Sequence, residues 1–286
     1  MRIAITGSGG FVGQHLIKLL NQKPNYEIFE ISTKKNFHIQ KWDSINEIKV
    51  KIDVVIHLAA KTFVPDAYKT PIDFYNFNYI STLNALELAR NNQAKFIFIS
   101  SYVYGHPKYT PIDEYHTTED FNPYAGSKLL SEQLCASYAK NFGLNCIILR
   151  PFNIYGVGQP STLVFQNILQ QIDEGKVILK DSRPKRDYLH VTDLAAAIEK
   201  SIAFNSNNKV EIFNIGFGTS YSLQNVLELF KEHLPNLQYD FTNEQRPNEI
   251  LDTCCNSTKA KNELNWQPLI NLKEGIKELI KNHNSK

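Results

Sequence analysis

The apolar positions in the first half of the chain fall into short continuous runs separated by stretches with helical spacing. The runs, rich in β-branched and aromatic residues, cover residues 2–6, 26–32, 53–60, 95–101 and 145–150. Helical spacing follows the first run at positions 12, 16, 17, 19 and 20, and longer helical stretches cover 79–92 and 124–143. Continuous apolar strands that alternate with helices predict a parallel sheet covered on both faces.

The pattern of predicted strands and helices changes after Arg150. Short strands such as KVIL and EIFNIG are mixed there with helices predicted near 161–173, 222–234 and 256–264. We therefore predict an α/β fold: a doubly wound parallel sheet over residues 1–150, and a smaller C-terminal α+β lobe over residues 151–286. Some of the second half is expected to return to the first.

Composition excludes several classes of partner. The chain has 286 residues and a formal net charge of +2, which favours neither nucleic acid nor an anionic membrane. Runs such as DVVIHLAA are too short to span a bilayer, and the start MRIAITG lacks the apolar segment of a secretion signal. We expect a cytoplasmic protein whose four cysteines, the adjacent Cys254 and Cys255 included, are reduced.

The histidines offer no metal site by their spacing. None of the eight follows a metal-ligand pattern, so no metal is expected. His57 and His190 fall in predicted strands, and we interpret both as structural.

The stretch ITGSGGFVGQHL, residues 5–16, places four glycines between the first strand and the first helix. A helix N-terminus attracts a pyrophosphate through its unpaired N–H groups and its positive dipole end. Gly7 permits the tight turn, Gly10 lets the phosphate reach the backbone, and Gly13 lets helix and strand pack closely. The spacing is GxxGxxG rather than GxGxxG, yet its context predicts a dinucleotide site rather than a plain turn. The pyrophosphate is expected at the backbone of Gly10, Phe11 and Val12.

The end of the second strand bears on the choice of cofactor. An acidic residue in this position binds the 2′-hydroxyl of NAD. By strand position the slot falls on Ser32 in EISTKK, with Glu30 as the rival. A serine followed by Lys34 and Lys35 suits a 2′-phosphate, so NADP(H) is favoured and NAD(H) remains possible. The alternative is that STKK is only a solvated loop.

PYAGSK places Tyr124 and Lys128 four residues apart, on one face of a predicted helix. A phenol with a pKa near 10 is a poor base at neutral pH, but a neighbouring ammonium favours the phenolate. Tyr124 could then exchange a proton with a hydroxyl while the carbon exchanges hydride with the cofactor. ISSYVYG supplies further hydroxyls at the carboxyl end of the fourth strand, where open α/β sheets bind ligands.

Six segments occur in an order that is typical of one family. They are the glycine corner, HLAA at 57–60, SSYVYG at 100–105, PYAGSK at 123–128, LRPFNIYG at 149–156 and RDYLHVTDLA at 186–195. This order, over roughly residues 1–270, resembles the extended short-chain dehydrogenase/reductases, the epimerase/dehydratase group acting on nucleotide sugars. The resemblance implies a Rossmann-type sheet and a nucleotide-diphosphate sugar as substrate.

The resemblance also implies roles for individual residues. It implies a catalytic group of Ser101, Tyr124 and Lys128, with Ser100 as the alternative serine because SSYVYG is one residue shorter than the common form. Further implied cofactor contacts are Leu58, Ala59, Ala60, Asn78 and, more loosely, Asp43. Implied substrate contacts are Ser100, Tyr102, Asn153, Arg186 and Arg246. A pair of arginines suits a diphosphate, although each could instead form a surface salt bridge.

Departures from the family narrow the reaction. Related sugar 4,6-dehydratases carry an Asp-Glu pair where this chain has Tyr102 and Val103, so dehydration is not expected. Reduction of a 4-keto sugar nucleotide with NADPH is favoured; the alternative is a 4-epimerase with tightly bound NAD. A non-catalytic NADP(H) sensor is a third reading, although sensors typically lose the Tyr or the Lys.

The resemblance further implies a homodimer formed through a four-helix bundle and a role in cell-surface polysaccharide synthesis. The helix that starts at Tyr124 would contribute to the bundle. Residues on it that could face either the partner or the sheet are Leu129, Leu130, Leu134 and Tyr138.

Overall fold

A computed structural model describes residues 1–246 and 248–285 of the chain. The strands are β1 (Arg2–Thr6), β2 (Glu27–Ile31), β3 (Val54–His57), β4 (Lys95–Ile99), β5 (Cys146–Pro151), β6 (Asn153–Tyr155), β7 (Val177–Leu179), β8 (Lys185–His190), β9 (Val210–Ile215), β10 (Ser220–Ser222), β11 (Tyr239–Phe241) and β12 (Asp252–Thr253). The α-helices are α1 (Phe11–Leu20), α2 (Trp42–Asn46), α3 (Val64–Lys69), α4 (Pro71–Asn92), α5 (Pro123–Phe142), α6 (Val164–Asp173), α7 (Val191–Ala203), α8 (Leu223–His233), α9 (Thr258–Glu263) and α10 (Leu272–His283).

The main sheet has six strands in the order β2-β1-β3-β4-β5-β9, and every neighbouring pair is parallel. This confirms the predicted α/β class. The strand in EIFNIG does not belong to the smaller lobe in which the sequence pattern placed it. It is β9, paired with β5 from Cys146↔Val210 to Pro151↔Ile215. Its apolar run has the character of a buried parallel strand, and only its partner reveals which sheet it joins.

Helices cover both faces of this sheet. One face packs against α1 and α7 through residues such as Leu16, Leu20, Leu194 and Ile198. The other packs against α4 and α5 through residues such as Leu86, Ala89, Cys135 and Ala139. α7, which the apolar pattern did not single out, closes the first face because its residues at helical spacing are buried there.

The C-terminal half also builds two small sheets. One has the order β10-β8-β12, with β6 added beside β8, and the other pairs β7 with β11. Their core is shared with α6, α8 and α10, and includes Phe165, Tyr188, Phe230 and Ile276. No helix in the described residues is long and apolar enough to cross a membrane.

Candidate active site

The glycine corner is packed so closely that side chains are excluded at two positions. Gly7 has a backbone φ of +69°, and a Cβ there would lie 2.7 Å from the Ala59 backbone nitrogen. A Cβ at Gly13 would lie 2.5 Å from the Gly7 carbonyl oxygen. Glycine at these positions lets the loop close against both α1 and the segment that follows β3.

The start of α1 fits a pyrophosphate. Gly10 is its N-cap and has no side chain to cap the first amides. Ser8 lies in the same loop and is 1% exposed, yet its hydroxyl has no hydrogen-bond partner among the described residues. Uncapped helix amides beside an unsatisfied buried hydroxyl form an arrangement that a bound anion would complete.

The segment after β2 comes back to the glycine corner. A Cβ at Gly9 would lie 3.7 Å from Lys34 Cδ and 4.0 Å from Ser32 Cβ, so both side chains border the corner. The amine of Lys35 lies elsewhere, 4.0 Å from the Glu30 carboxylate. The two candidates for the ribose position, Ser32 and Glu30, therefore differ in their surroundings: Ser32 borders the corner together with Lys34, and Glu30 lies beside the Lys35 amine.

Tyr124 stands in the first turn of α5, and Ser101 is the polar side chain that acts on its phenol. The Asn122 side chain accepts a hydrogen bond from the Ala125 amide at 2.9 Å, and Pro123 occupies the first helical position. These two features fix the helix start and hence the phenol. Burial raises the pKa of Tyr124, and the hydrogen bond from Ser101 acts in the opposite direction.

Lys128 lies one turn later and is 3% exposed. Its Nζ donates to the Ile99 carbonyl oxygen at 2.6 Å and lies 4.3 Å from the centre of the Phe98 ring. Burial lowers its pKa to about 7, against the influence of the Glu132 carboxylate, which raises it. The Lys128 side chain can therefore exchange between its amine and ammonium forms near neutral pH.

Ser100 points away from Tyr124. Its hydroxyl donates to Glu132 Oε1 at 2.5 Å, and Glu132 in turn accepts two hydrogen bonds from Arg150, at 3.0 Å from Nε and 2.5 Å from Nη2. The sequence reading left Ser100 and Ser101 as alternatives, and the structure places only Ser101 at the phenol. The sequence analysis missed Glu132 and Arg150, although Glu132 follows Lys128 at helical spacing.

Asn78 joins three parts of the site. Its Oδ1 accepts from the Lys61 amide at 2.8 Å, and its Nδ2 donates to the Lys61 carbonyl oxygen at 3.1 Å and to Ser127 Oγ at 2.8 Å. Ser127 Oγ donates to the Tyr124 carbonyl oxygen at 2.7 Å. Asn78 thus holds the loop after β3 against the start of α5.

A second buried chain of polar groups runs beneath this one, and sequence reasoning missed it. His57 lies between Thr6, whose Oγ1 is 2.7 Å from Nδ1, and Thr82, whose Oγ1 is 3.2 Å from Nε2. Its ring stacks on Phe96 and Phe98, and burial lowers its pKa to about 3, with Lys128 adding to the effect. The structural interpretation of His57 fits these contacts.

The predicted diphosphate contacts lie on the C-terminal half. Asn153 is paired with Tyr188, so it lies on the strand beside the one that carries Arg186. Arg186 donates to the Ile250 carbonyl oxygen at 2.7 Å and forms an ion pair with Glu249. Arg246 is exposed on the same connection as Glu249. Arg186 is thus tied to a carboxylate and a carbonyl, while Arg246 is exposed.

The remaining predicted residues are distributed around the sheet edge. Leu58 and Ala59 donate backbone hydrogen bonds to Thr6, at 3.2 Å to its carbonyl oxygen and 3.3 Å to its Oγ1, so HLAA lies against β1. Asp43 is exposed in the first turn of α2. The residues that line an aromatic cluster with Tyr102 are Tyr104, Phe121 and Phe152. The described residues contain no group of three His, Cys, Asp or Glu arranged for a metal.

Comparison with known proteins gives closely similar folds with different cofactors. The structure of RMD from Pseudomonas aeruginosa complexed with NADPH aligns with a TM-score of 0.90 at 26% identity, covering 99% of each chain. UDP-glucuronic acid 4-epimerase from Bacillus cereus, in complex with UDP-glucuronic acid and NAD, aligns with a TM-score of 0.91 at 26% identity, covering 100% of this chain and 99% of that one.

Sequence comparison identifies the family. A putative UDP-glucose 4-epimerase of Methanocaldococcus jannaschii is 31% identical, with 99% of each chain covered. Residues 3–216 match the profile of the NAD dependent epimerase/dehydratase family. Homologues of this type are NAD(P)-dependent epimerases and reductases of sugar nucleotides. The chain is therefore a member of the NAD-dependent epimerase/dehydratase family, the extended short-chain enzymes that its motifs resemble.

Proposed function

We propose that the protein reduces the 4-keto group of a nucleotide-diphosphate sugar with NADPH. The observation that carries this proposal is the grouping of Ser101 at the Tyr124 phenol with the buried Lys128 one helical turn later, at the sheet edge that also holds the glycine corner. The cofactor, when bound, supplies the hydride that the carbonyl carbon accepts. Tyr124 donates its hydroxyl proton to the carbonyl oxygen, so the ketone becomes an alcohol.

Ser101 and Lys128 assist the phenol in different ways. Ser101, placed at the phenol, is proposed to donate to the phenol oxygen and so to stabilise the phenolate that remains after proton transfer. The Lys128 ammonium stabilises the same negative charge. Arg186 and Arg246 are proposed to bind the substrate diphosphate, and Asn153 and Tyr102 complete the proposed substrate contacts. Ser100 is no longer proposed as a substrate contact, because its buried hydroxyl donates to Glu132.

Lys34 supports the choice of NADPH. It borders the glycine corner with Ser32, whereas the acidic rival Glu30 lies beside Lys35. An ammonium there would form a charge-assisted hydrogen bond with a 2′-phosphate. The competing proposal, a 4-epimerase that retains NAD, uses the same catalytic residues, and the epimerase similarity supports it. A sensor without catalysis is disfavoured because Tyr124 and Lys128 are both present.

One experiment separates these functions. The purified protein is first extracted to identify any bound cofactor, and then incubated with NADPH and a 4-keto sugar nucleotide while NADPH absorbance is followed. A reductase consumes NADPH in proportion to the substrate. Retained NAD together with interconversion of UDP-glucose and UDP-galactose would establish the epimerase instead. Tight NADPH binding with neither reaction would support the sensor.

We also propose a cytoplasmic homodimer. α4 and α5 pack against each other and expose apolar side chains such as Tyr79 and Leu130. Tyr138, another α5 residue that could have faced a partner, is buried and donates to Glu87 at 2.7 Å, so it faces inward. Leu130→Asp should shift the mass measured by light scattering from dimer to monomer. A wild-type protein that is already monomeric at micromolar concentration would contradict the proposal.

A further inference from the structure

A buried ion pair lies directly behind the proposed catalytic group and takes no part in the chemistry described above. Glu132 and Arg150 have side chains only 8% and 6% exposed, and two hydrogen bonds join them. Arg150 Nη1 also donates to the Tyr104 hydroxyl at 2.9 Å, and that hydroxyl donates to Asn214 Oδ1 at 2.5 Å. The network therefore joins α5 to the carboxyl ends of β5 and β9 and to the segment after β4.

Glu132 reaches both sides of the catalytic group. Through Ser100 Oγ, at 2.5 Å, it holds the residue before Ser101. It also lies four residues after Lys128 on the same face of α5, where its negative charge favours the ammonium form of Lys128.

We propose that Glu132 is a positioning residue: it fixes Ser101 through Ser100 and places a negative charge on the side of α5 that carries the buried Lys128. This role rests on the proposed reductase chemistry. Arg150 makes it possible, because a lone carboxylate at this depth would be protonated or would destabilise the fold.

Other groups around Lys128 have to be considered before a pH effect is assigned to Glu132. They are Cys135 on α5, His57 on β3, the Phe98 ring and Ile99 carbonyl on β4, Arg150 on β5, and the uncharged Asn78 and Thr82 that α4 brings to the same layer. Burial raises the pKa of the Cys135 thiol well above its usual value, and the pKa of His57 is about 3, so both are neutral at pH 7. Among these groups, Glu132 is therefore the carboxylate whose charge acts on the amine.

The decisive variant is Glu132→Gln, which keeps the shape and removes the charge. We expect kcat to fall 10- to 100-fold. We also expect the alkaline limb of the kcat profile to move to lower pH, because Lys128 loses its proton more easily, while KM and NADPH affinity change less than threefold. Ser100→Ala is the matched control: it should lower kcat but leave the limb in place, since the ion pair is intact. Glu132→Asp keeps the negative charge, so the alkaline limb should return to its wild-type pH.

A purely structural role predicts something different: Glu132→Gln would lower the melting temperature and the active fraction without moving the limb. That result would overturn the proposal. Because an unpaired Arg150 can prevent folding, Glu132→Gln/Arg150→Gln is made as well. Ser100 loses its carboxylate partner there too, so kcat should again fall about 10- to 100-fold, and a wild-type kcat in a folded double variant would overturn the proposal.

A measurement on the ligand-free protein keeps this inference independent of the reductase proposal. The pKa of Lys128 is about 7 when folded and near 10.5 when unfolded, so its burial penalty falls as pH rises from 7 towards 10.5. The stability difference between wild type and Lys128→Met should follow that rise. In the Glu132→Gln background the rise should begin at lower pH; an unchanged onset would refute the effect of Glu132. Failure of the reductase proposal would appear separately, as no turnover by the wild type.

Discussion

The two sides of the proposed active site differ in how deeply their polar side chains are buried. On the side of β4 and α5, Lys128, Ser100 and Glu132 are buried, and each is held by hydrogen bonds shorter than about 3 Å. On the side of β8, the Arg186 side chain is 21% exposed and is paired with Glu249 from a neighbouring connection. Groups that support the proposed proton donor are fixed by burial, whereas the group expected to bind charge is accessible.

The difference implies a division of labour. A buried, fully hydrogen-bonded group has one geometry and a perturbed pKa, which suits chemistry. A partly exposed arginine can exchange a protein carboxylate for a substrate phosphate at small cost, which suits recognition. Changes on the first side should therefore lower kcat, and changes on the second should raise KM.

Tyr124→Phe should give the largest effect. It removes the proton donor and keeps the ring, so turnover should fall by about 10²-fold or more while the fold and NADPH binding remain. Steady-state kinetics and a fluorescence titration with NADPH measure the two effects. A variant that keeps more than about a tenth of the wild-type rate would show that the phenol is not the donor.

Arg186→Met should affect binding instead. Loss of a charge-assisted contact of roughly 1.5–3 kcal/mol should raise KM for the nucleotide sugar about 10- to 100-fold, with kcat within about threefold. Glu249→Gln serves as the matched control, because it frees the arginine from its carboxylate and should not raise KM through loss of a phosphate contact. If Arg186→Met lowers kcat and leaves KM alone, the division between the two sides is wrong.

Cofactor choice should change with Ser32→Asp/Lys34→Ala. The wild type should bind NADPH about tenfold or more tightly than NADH, from one charge-assisted hydrogen bond, and the double variant should reverse the order. Lys35→Ala is the control, since that amine faces Glu30, and it should change the ratio little. Titration of both reduced cofactors by fluorescence gives the ratio; equal affinities in the wild type would favour the NAD-dependent epimerase.

The smallest effect is on stability at mildly acidic pH. His57 has a pKa of about 3 when folded and near 6.5 when unfolded, so the stability it contributes is lost as pH falls below about 6.5. This group alone should lower the free energy of unfolding by about 1 kcal/mol between pH 7.5 and 5.5. His57→Gln should flatten the profile measured by urea unfolding. Arg186→Met, on the accessible side, should leave the slope of unfolding free energy against pH unchanged.

Local spacing was enough to predict much of the site. Glycines between a strand and a helix indicated the corner, and four-residue spacing placed Tyr124 and Lys128 on one helical face. Apolar runs predicted the strands β1 to β5 to within three residues at each end. These features are encoded over a few neighbouring residues, because helix and strand periods fix which side chains share a face.

Tertiary structure decided the rest. Only packing separated Ser101 at the phenol from Ser100 at Glu132, because the choice depends on how the segment after β4 turns. Glu132 meets Arg150 from 18 residues away, and Arg186 meets Glu249 from 63 residues away. β9 joined the main sheet for the same reason: a partner distant in sequence leaves no periodic signal in the chain, and only the folded backbone brings the two together.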